Sequence, residues 1–376
     1  MRRKKITIFT LHTDTGGIER YVASLANMLG GDCDVEVVAV YNSGNPPAFE
    51  YEEGVRLHYL VDGVLRNASL KELVARGRIG GAIKELWGRA SMMWRKNLAV
   101  RKAARECEAE IVITERPFLS KMVGKYCKKP GVVKIATEHN FHQNNKKYIN
   151  RVVKSVRRFD YFVLPTEELH GFYAPLVGLK KCKKITYHLP NIPSKKSNLT
   201  TKNILAIGRF APEKGFLDLL DVMKLIHKKD KKIKLYLLGD GEENKKIRAK
   251  ISELGLDNVV VAPGVIGHDE LAKYFYDSCL YVMSSHTECF GLVLAEAMSF
   301  GLPCVAFDSA SGARELIKKD VGVLVGGRDK KKMAEVIVEL VNNKEKMGKY
   351  QKAINKYVAK FSEDDAEAAW KKILKI

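Results

Sequence analysis

Short apolar runs alternate with longer amphipathic stretches along almost the whole chain. Runs of roughly four to eight Val-, Ile- and Leu-rich residues predict buried strands, and apolar residues at every third or fourth position predict helices. Two examples of the helical pattern are Gly215–His227 and Lys330–Leu340. The predicted strands are Ile6–Leu11, Val35–Val40, Val55–Leu60, Ile111–Thr114, Val132–Thr137, Tyr161–Pro165, Asn203–Gly208, Ile233–Gly239, Asn258–Ala262, Leu280–Ser284, Pro303–Phe307 and Gly322–Val325. Such alternation predicts an α/β protein with parallel sheets covered on both faces.

A polar, proline-containing segment, His188–Asn203, separates two series of alternating strands and helices. A chain of 376 residues is also long for a single hydrophobic core. The sequence therefore predicts two doubly wound, Rossmann-like domains, residues 1–190 and 191–360. Ligands of such domains lie beyond the carboxyl ends of the strands, so we expect the two domains to face each other across a cleft lined by the loops after the strands.

The loop after the first predicted strand contains Gly16-Gly17, followed by a helix that begins near Ile18. Glycines allow close backbone approach, and the amino end of a helix favours an anion. A purely structural turn is the alternative.

The loop after the strand Asn203–Gly208 carries Arg209 and Lys214, with Gly215 opening a helix. Two cations beside a helix amino terminus suit a diphosphate. The alternative is a pair of solvated surface charges.

The segment "HTECFGLVLAEAMSFGLPCVAF", from His286 to Phe307, follows another predicted strand and holds Glu288 and Glu296 among apolar residues and glycines. If it is helical from about Gly291, the two carboxylates lie at most about 12 Å apart, the span of an extended ligand. Glu296 could instead be the solvated position of this helix. His139, in "IATEHNFHQ", also follows a strand.

Composition narrows the class of protein. Hydrophobic residues make up 46% and charged residues 29%, as in soluble globular proteins. The seven cysteines are scattered without a Cys-x-x-Cys pair, which favours a reducing, cytosolic setting and indicates neither disulfides nor zinc. The apolar run after the basic start is too short for a signal peptide, and no stretch is long enough to span a bilayer. Asp32-Cys-Asp34 is interpreted as a turn rather than a metal site.

The formal net charge of +21 favours anionic partners. From Arg66 to Glu106, 11 cations stand against 3 glutamates, giving 11 − 3 = +8, and Trp87 and Trp94 are interleaved among them. Basic amphipathic segments with tryptophan suit an anionic membrane surface. An ordinary solvated helix pair is the alternative. Nucleic acid is not a predicted partner, because no zinc-finger, helix-turn-helix or ribonucleoprotein signature is present.

The stretches "GRFAPEKG", "LLGDGEE", "SSHTECFGLVLAEAMSFGLPCVA" and "SGARELI", in this order, resemble the retaining glycosyltransferases of family four. The resemblance implies the GT-B architecture of two Rossmann-like domains. Its match is strongest from Asn203 to about Val325. The closing segment "FSEDDAEAAWKKIL" resembles the last helix of the family, which implies that 361–376 returns to the first domain.

The resemblance also implies roles for the residues singled out above. Glu288 would contact hydroxyls of the transferred sugar, and Glu296 would bind the ribose of a nucleotide-sugar, with uridine the commoner base in the family. Arg209 and Lys214 would hold the diphosphate, and His139 would reach the sugar from the other domain. Backbone N–H groups would contribute hydrogen bonds at Gly16, Gly17, Phe290, Gly291 and Leu292. No metal or other cofactor is expected, since fixed cations and helix ends can stabilise the leaving diphosphate.

One position departs from the family pattern. The interdomain Pro-Asn-Gly of the family reads Pro190-Asn191-Ile192-Pro193 here, so the hinge loses a glycine.

The basic segment of the first domain predicts a lipid-linked, lipopolysaccharide or polysaccharide glycan acceptor at the cytoplasmic face of the membrane. The alternatives are a soluble GT-B enzyme, such as a nucleotide-sugar epimerase or a glucan synthase, and a basic nucleic-acid-binding protein.

Overall fold

A computed structural model describes residues 2–63, 79–189 and 191–376. The chain forms two compact units. Unit 1 comprises the described residues of Met1–Leu164, together with His170–Ile185 and Glu367–Ile376. Unit 2 comprises Pro165–Leu169 and Thr186–Ala366.

Unit 1 is built on a seven-stranded sheet in the order β3-β2-β1-β4-β5-β6-β7, in which every neighbouring pair is parallel. Its strands are β1 (Lys5–Thr10), β2 (Asp34–Asn42), β3 (Arg56–Asp62), β4 (Ile111–Thr114), β5 (Val133–Thr137), β6 (Tyr161–Leu164) and β7 (Cys182–Lys184). The described helices of this part of the chain are α1 (Gly17–Gly30), α2 (Ile79–Glu106), α3 (Pro117–Tyr126), α4 (Lys146–Ser155) and α5 (Glu167–Val177).

Unit 2 is built on a six-stranded sheet in the order β10-β9-β8-β11-β12-β13, also parallel throughout. Its strands are β8 (Asn203–Ile207), β9 (Lys234–Leu238), β10 (Val260–Gly264), β11 (Leu280–Met283), β12 (Cys304–Phe307) and β13 (Gly322–Val325). Its α-helices are α6 (Phe216–Lys229), α7 (Asn244–Glu253), α8 (His268–Tyr276), α9 (Leu292–Ser299), α10 (Ser311–Leu316), α11 (Lys330–Asn342) and α12 (Lys344–Tyr357).

The last helix, α13 (Glu363–Leu374), ends the chain. Its Trp370 is fully buried in unit 1, and Lys371 Nζ lies 2.6 Å from the carboxylate of Asp32. Lys4 Nζ donates to the carbonyl of Leu374 at 3.1 Å, which satisfies one of the backbone acceptors that a helix end leaves open. The C-terminal helix therefore packs on the first unit.

The strand order confirms the predicted α/β fold with two Rossmann-like sheets. Each of the twelve predicted strands coincides with an observed one to within two residues. One observed strand, β7, was not predicted, because its three residues, Cys-Lys-Lys, carry no apolar alternation at the sheet edge.

Both sheets reverse their winding direction at a defined point, and this point positions the candidate site. In unit 1 the reversal lies between β1 and β4, and in unit 2 it lies between β8 and β11. The loops that follow two such strands leave in opposite directions and open a crevice at the carboxyl edge of the sheet. No helix among the described residues is both long and apolar enough to cross a membrane.

Candidate functional site

An ion pair joins the two loops at the reversal point of unit 2. Lys214 ends a short 3₁₀ helix (Pro212–Lys214) after β8, and its ammonium contacts the carboxylate of Glu288, in the loop after β11. The two side chains are 24% and 23% exposed, so the pair is shielded but still reachable from water. Two residues that the sequence singled out separately thus lie together at the place where doubly wound folds bind ligands.

Backbone contacts hold the same two loops together. Ser284 Oγ donates to the carbonyl of Lys214 at 2.8 Å, and the amide of His286 donates to the carbonyl of Glu213, also at 2.8 Å. Gly215 has φ +64°, and a Cβ there would overlap the carbonyl oxygen of Ser284. Only glycine permits this approach, which holds the backbone after Lys214 against the loop that carries Glu288.

Arg328, which the sequence reasoning missed, clamps this loop from the other side. Its guanidinium donates to the carbonyls of Ser284 (2.9 Å) and Ser285 (3.1 Å) and pairs with Asp218 at 2.7 Å. Burial opposes the ionisation of Asp218, but hydrogen bonds from Lys330 and Arg328 outweigh burial and lower the pKa of this carboxyl. The positively charged guanidinium and the ionised carboxylate together fix the backbone just before Glu288.

Arg209 is more exposed to solvent than Lys214. Its side chain is 65% exposed and pairs with Glu213, four residues along. An exposed pair of this kind contributes little to stability, so its partner is exchangeable. Arg209 can therefore leave Glu213 for a stronger anion at small cost.

The helix α9 begins beside Glu288. Gly291 is its N-cap, with φ +85°, and Phe290 before it is buried. A Cβ at Gly312 would overlap the carbonyl of Phe290, so α10 packs directly against this turn. The amide groups from Gly291 and Leu292 onward open a helix whose first turn contains no acidic side chain. Such an amino end attracts an anion.

Glu296 lies in the middle of α9 and is buried, while Leu294, Ala295, Ala297 and Met298 around it are also buried. The structure thus rules out the interpretation of Glu296 as the solvated position of the helix. A buried carboxylate on an apolar helix requires a polar counterpart.

In unit 1, the loop after β1 is organised differently from the sequence-based expectation. Glu19, in the first turn of α1, folds back so that its carboxylate lies against Gly16. This carboxylate is 4% exposed and accepts a hydrogen bond from Arg116, in the turn after β4, at 3.0 Å. The predicted roles of Gly16 and Gly17 remain predictions, but the anion beside them in this structure is a carboxylate of the chain itself.

His139, two residues after β5, lies in a buried polar cluster of unit 1. Its Nε2 contacts the carboxylate of Glu115 and lies 2.6 Å from Thr137 Oγ1. Glu138 Oε1 accepts from the backbone amides of His139 and Asn140, each at 2.9 Å. Burial raises the pKa of Glu138. Glu115 was not predicted as a site residue, although its position directly after β4 could have identified it.

The structure supplies separate partners for the Asp32-Cys-Asp34 segment. Asp32 pairs with Lys371 and Asp34 pairs with Arg56 at 3.1 Å, so both carboxylates serve structural ion pairs. Among residues 2–63, 79–189 and 191–376, no group of three or more His, Cys, Asp or Glu side chains is arranged to hold a metal ion.

Comparison with known proteins agrees with this architecture. Residues 190–360 match the family model for glycosyl transferases group 1. The chain is 26% identical over 384 residues to an exopolysaccharide phosphotransferase of Streptomyces coelicolor, a match that covers 98% of this chain but only 40% of that protein. It is 25% identical over 350 residues to an uncharacterized glycosyltransferase of Haemophilus influenzae, covering 91% of this chain and 92% of that one.

A solved structure shares the fold over nearly the full length. It is a crystal structure of a mutant of Staphylococcus aureus TarM in complex with Fondaparinux, alpha-GlcNAc-glycerol and UDP, with a TM-score of 0.80, 16% identity, and 98% of this chain and 99% of that chain covered. Together with the two doubly wound sheets, this match shows that the chain has the GT-B fold, and residues 190–360 are similar to the glycosyl transferases group 1.

Proposed function

We propose that this protein transfers a hexose or N-acetylhexosamine from a nucleotide-sugar, with UDP as the nucleotide, to a lipid-linked, lipopolysaccharide or polysaccharide glycan. The anomeric configuration of the sugar is retained. The observation that carries the proposal is the Lys214–Glu288 pair at the reversal point of unit 2, beside the amino end of α9.

The chemistry of these side chains suits a diphosphate leaving group. Lys214 and Arg209 are each paired with a carboxylate that is reachable from water, and a diphosphate would replace Glu288 and Glu213 as their partner. The negative charge on the diphosphate grows as the glycosidic bond breaks, and fixed cations stabilise it most at that stage. Glu288, released from Lys214, would accept hydrogen bonds from hydroxyls of the transferred sugar. The reaction is proposed to need no metal ion.

The other site residues complete the donor site. Glu296 would accept hydrogen bonds from the ribose hydroxyls. The backbone amides of Phe290, Gly291 and Leu292 would hydrogen-bond the phosphates or the sugar. His139, with backbone groups at Gly16 and Gly17, would contact the sugar.

The choice of donor and acceptor draws on similar proteins. The TarM structure contains UDP and a GlcNAc-glycerol compound, and the Streptomyces relative is named for exopolysaccharide. UDP in the TarM structure supports uridine as the base, and the name of the Streptomyces relative supports a sugar polymer as acceptor.

A donor screen tests the proposal. UDP-, GDP- and ADP-sugars are incubated with the protein and lipid-linked or polysaccharide acceptors, and nucleotide release is measured with and without acceptor. We expect acceptor-dependent UDP release and an α-linked product from an α-linked donor. Epimerised free donor, or release without a glycan product, would favour the soluble-enzyme alternatives, and a β-linked product would contradict retention.

We also propose that unit 1 associates with an anionic membrane surface at the cytoplasmic face. The predicted segment runs from Arg66 to Glu106, and its residues 66–78 lie outside the part of the chain that the structure describes. In α2, Trp87 is 74% and Trp94 65% exposed, and Ile83, Leu86, Met93 and Leu98 are exposed as well. Lys84, Arg95, Lys102 and Arg105 stand exposed on the same helix. Large apolar side chains in water, flanked by cations, are typical of helices that lie in a membrane interface.

Co-sedimentation with vesicles tests this association. Each cation near an anionic surface contributes about 1 kcal/mol, so replacing Lys84, Arg95, Lys102 and Arg105 by Gln should weaken partitioning by orders of magnitude at low salt. The matched control replaces Lys228, Lys231, Lys232 and Lys234, four exposed lysines of unit 2, by Gln. Wild-type protein that stays in the supernatant with anionic vesicles at low salt, or equal losses for both variants, would contradict the proposal.

A further inference from the structure

Two buried carboxylates flank His139, and they contact different parts of this residue. Glu115 and Glu138 are each only 1% exposed. Glu138 holds the backbone of the His139 turn through two amides and also accepts from the hydroxyl of Tyr148 at 2.8 Å. Glu115 instead meets the imidazole ring, at Nε2. The backbone and the ring of His139 are therefore fixed by separate groups.

The surroundings of the ring leave it little freedom. The His139 side chain is 2% exposed, and the ring of Tyr21 lies 4.9 Å from it, centroid to centroid. Thr137 Oγ1 contacts both the Glu115 carboxylate and His139 Nε2. The threonine hydroxyl and the imidazole Nε2 both contact the Glu115 carboxylate, whose oxygens can accept a hydrogen bond from each.

We propose that Glu115 is a positioning residue for His139, which it holds in the tautomer with the proton on Nε2. In a neutral imidazole, a proton on one nitrogen makes the other nitrogen an acceptor. The Nε2–H tautomer makes Nδ1 a hydrogen-bond acceptor, which suits a hydroxyl rather than a carbonyl or phosphate oxygen. The link to the sugar rests on the proposed function, whereas the tautomer does not.

The strand topology explains why the glutamate occupies this place. β4 and β5 are neighbours in the sheet, and Thr114 pairs with Ala136. Glu115 therefore leaves β4 at the same level at which Thr137 and His139 leave β5. β4 is also one of the two strands at the reversal point of unit 1, which lies between β1 and β4.

Nitrogen-15 NMR of the histidine rings tests the proposal without any donor. In wild-type protein, the two ring nitrogens of His139 should give the shifts of the Nε2–H tautomer. In Glu115→Gln the amide can donate to Nε2, so we expect the proton to move to Nδ1. Glu138→Gln is the matched control, since it neutralises an equally buried carboxylate whose described contacts are the amides of His139 and Asn140 and the hydroxyl of Tyr148, and it should leave the tautomer unchanged.

Two outcomes overturn the proposal: the Nδ1–H tautomer in wild type, or the same tautomer in wild type and Glu115→Gln. If Glu115→Gln fails to fold, Glu115→Asp and Thr137→Val replace it. The shorter aspartate keeps the acceptor, and Thr137→Val leaves Glu115 intact, so both variants should retain the Nε2–H tautomer. Loss of the Nε2–H form in Thr137→Val would show that the hydroxyl, and not Glu115, sets the tautomer.

Kinetics with an active donor then tests the link to the sugar. Loss of a single oriented hydrogen bond should lower kcat of Glu115→Gln by about 10- to 100-fold with little change in KM for the donor. His139→Ala should add almost nothing in the Glu115→Gln background, because both changes remove one interaction. Additive losses would show that Glu115 does not act through His139. If the protein turns over no donor but shows the expected tautomers, the proposed function is contradicted and the positioning role of Glu115 is not.

Discussion

The two reversal points of the molecule each carry an ion pair between the segments after the two central strands, but the carboxylates of the two pairs differ in burial. In unit 1, Glu19 after β1 pairs with Arg116 after β4, and the glutamate is 4% exposed. In unit 2, Lys214 after β8 pairs with Glu288 after β11, and both side chains are about one-quarter exposed. The cation and the carboxylate also exchange places between the two units.

This difference indicates where an anionic ligand fits. In unit 1 the amino end of α1 already faces the carboxylate of Glu19, so a second anion would meet like charge there. In unit 2 the first turn of α9 has no acidic side chain, and the cations beside it hold partners that water can reach. The same strand order thus supports a closed structural pair in one unit and an exchangeable binding pair in the other.

The largest expected effect comes from removing the cations of unit 2. Lys214→Ala and Arg209→Ala should each lower turnover by about 10², the scale for one group that stabilises charge in a transition state. Arg116→Ala is the matched change at the reversal point of unit 1, and it should leave affinity for free UDP unchanged. Steady-state kinetics and calorimetric UDP titration measure both quantities. Equal loss of UDP affinity in Arg116→Ala and Lys214→Ala would remove the distinction between the two units.

Glu296→Gln should weaken binding of free UDP by about 10- to 150-fold, which corresponds to the 1.5–3 kcal/mol typical of a hydrogen bond to a charged group. Glu19→Gln is the matched control, because Glu19 is a similarly buried carboxylate at the start of a helix in unit 1. Its UDP affinity should equal that of wild type. Unchanged affinity in folded Glu296→Gln would show that Glu296 does not bind the ribose.

The fold could be predicted almost completely from the sequence. Parallel strands buried on both faces read as continuous apolar runs, and β4 and β13 were predicted to the residue. β7 could not be predicted, because a three-residue edge strand is defined by pairing with β6 rather than by its own composition.

The candidate site was partly predictable for a physical reason. Arg209, Lys214, Glu288 and Glu296 lie in stretches whose glycines and charges mark a strand-to-helix turn. Glu115 and Arg328 act through residues that are distant in the chain, at His139 and at the carbonyls of Ser284 and Ser285. Nothing local in "ITERP" or "GGRDK" specifies these partners. The contact of the Glu19 carboxylate with Gly16 was likewise not predictable from the local sequence.

We expect burial, rather than the unit in which a residue lies, to decide which polar groups are held in one state, and the protonation of His188 in unit 2 tests this. Burial lowers the pKa of His188 to about 4, from the model-peptide value of 6.5. Between these values the unfolded chain binds a proton that the folded chain does not, so stability is fully present above pH 6.5 and is lost as the pH falls toward 4. Between pH 7.5 and pH 5 the loss should be about 2 kcal/mol. Urea unfolding of wild type and His188→Gln, followed by circular dichroism at both pH values, measures it. An identical pH dependence in the two proteins would contradict a buried neutral His188.

The smallest expected effect is that of Arg328→Ala, and it separates loop positioning from charge. The guanidinium bridges two carbonyls of the loop that carries Glu288, so its removal should lower turnover by about tenfold or less, equivalent to one or two net hydrogen bonds. Arg328→Lys keeps the charge beside Asp218 but cannot bridge two carbonyls in a fixed fork, so it should resemble the alanine variant.

Arg314→Ala is the control, because Arg314 pairs only with the side chains of Glu168 and Asp308 among the contacts described for it, and turnover should stay near wild type. Full activity in Arg328→Lys would show that the charge at this position matters and the fork does not. The exchangeable pair of Lys214 and Glu288 would then need no support from the Arg328 clamp.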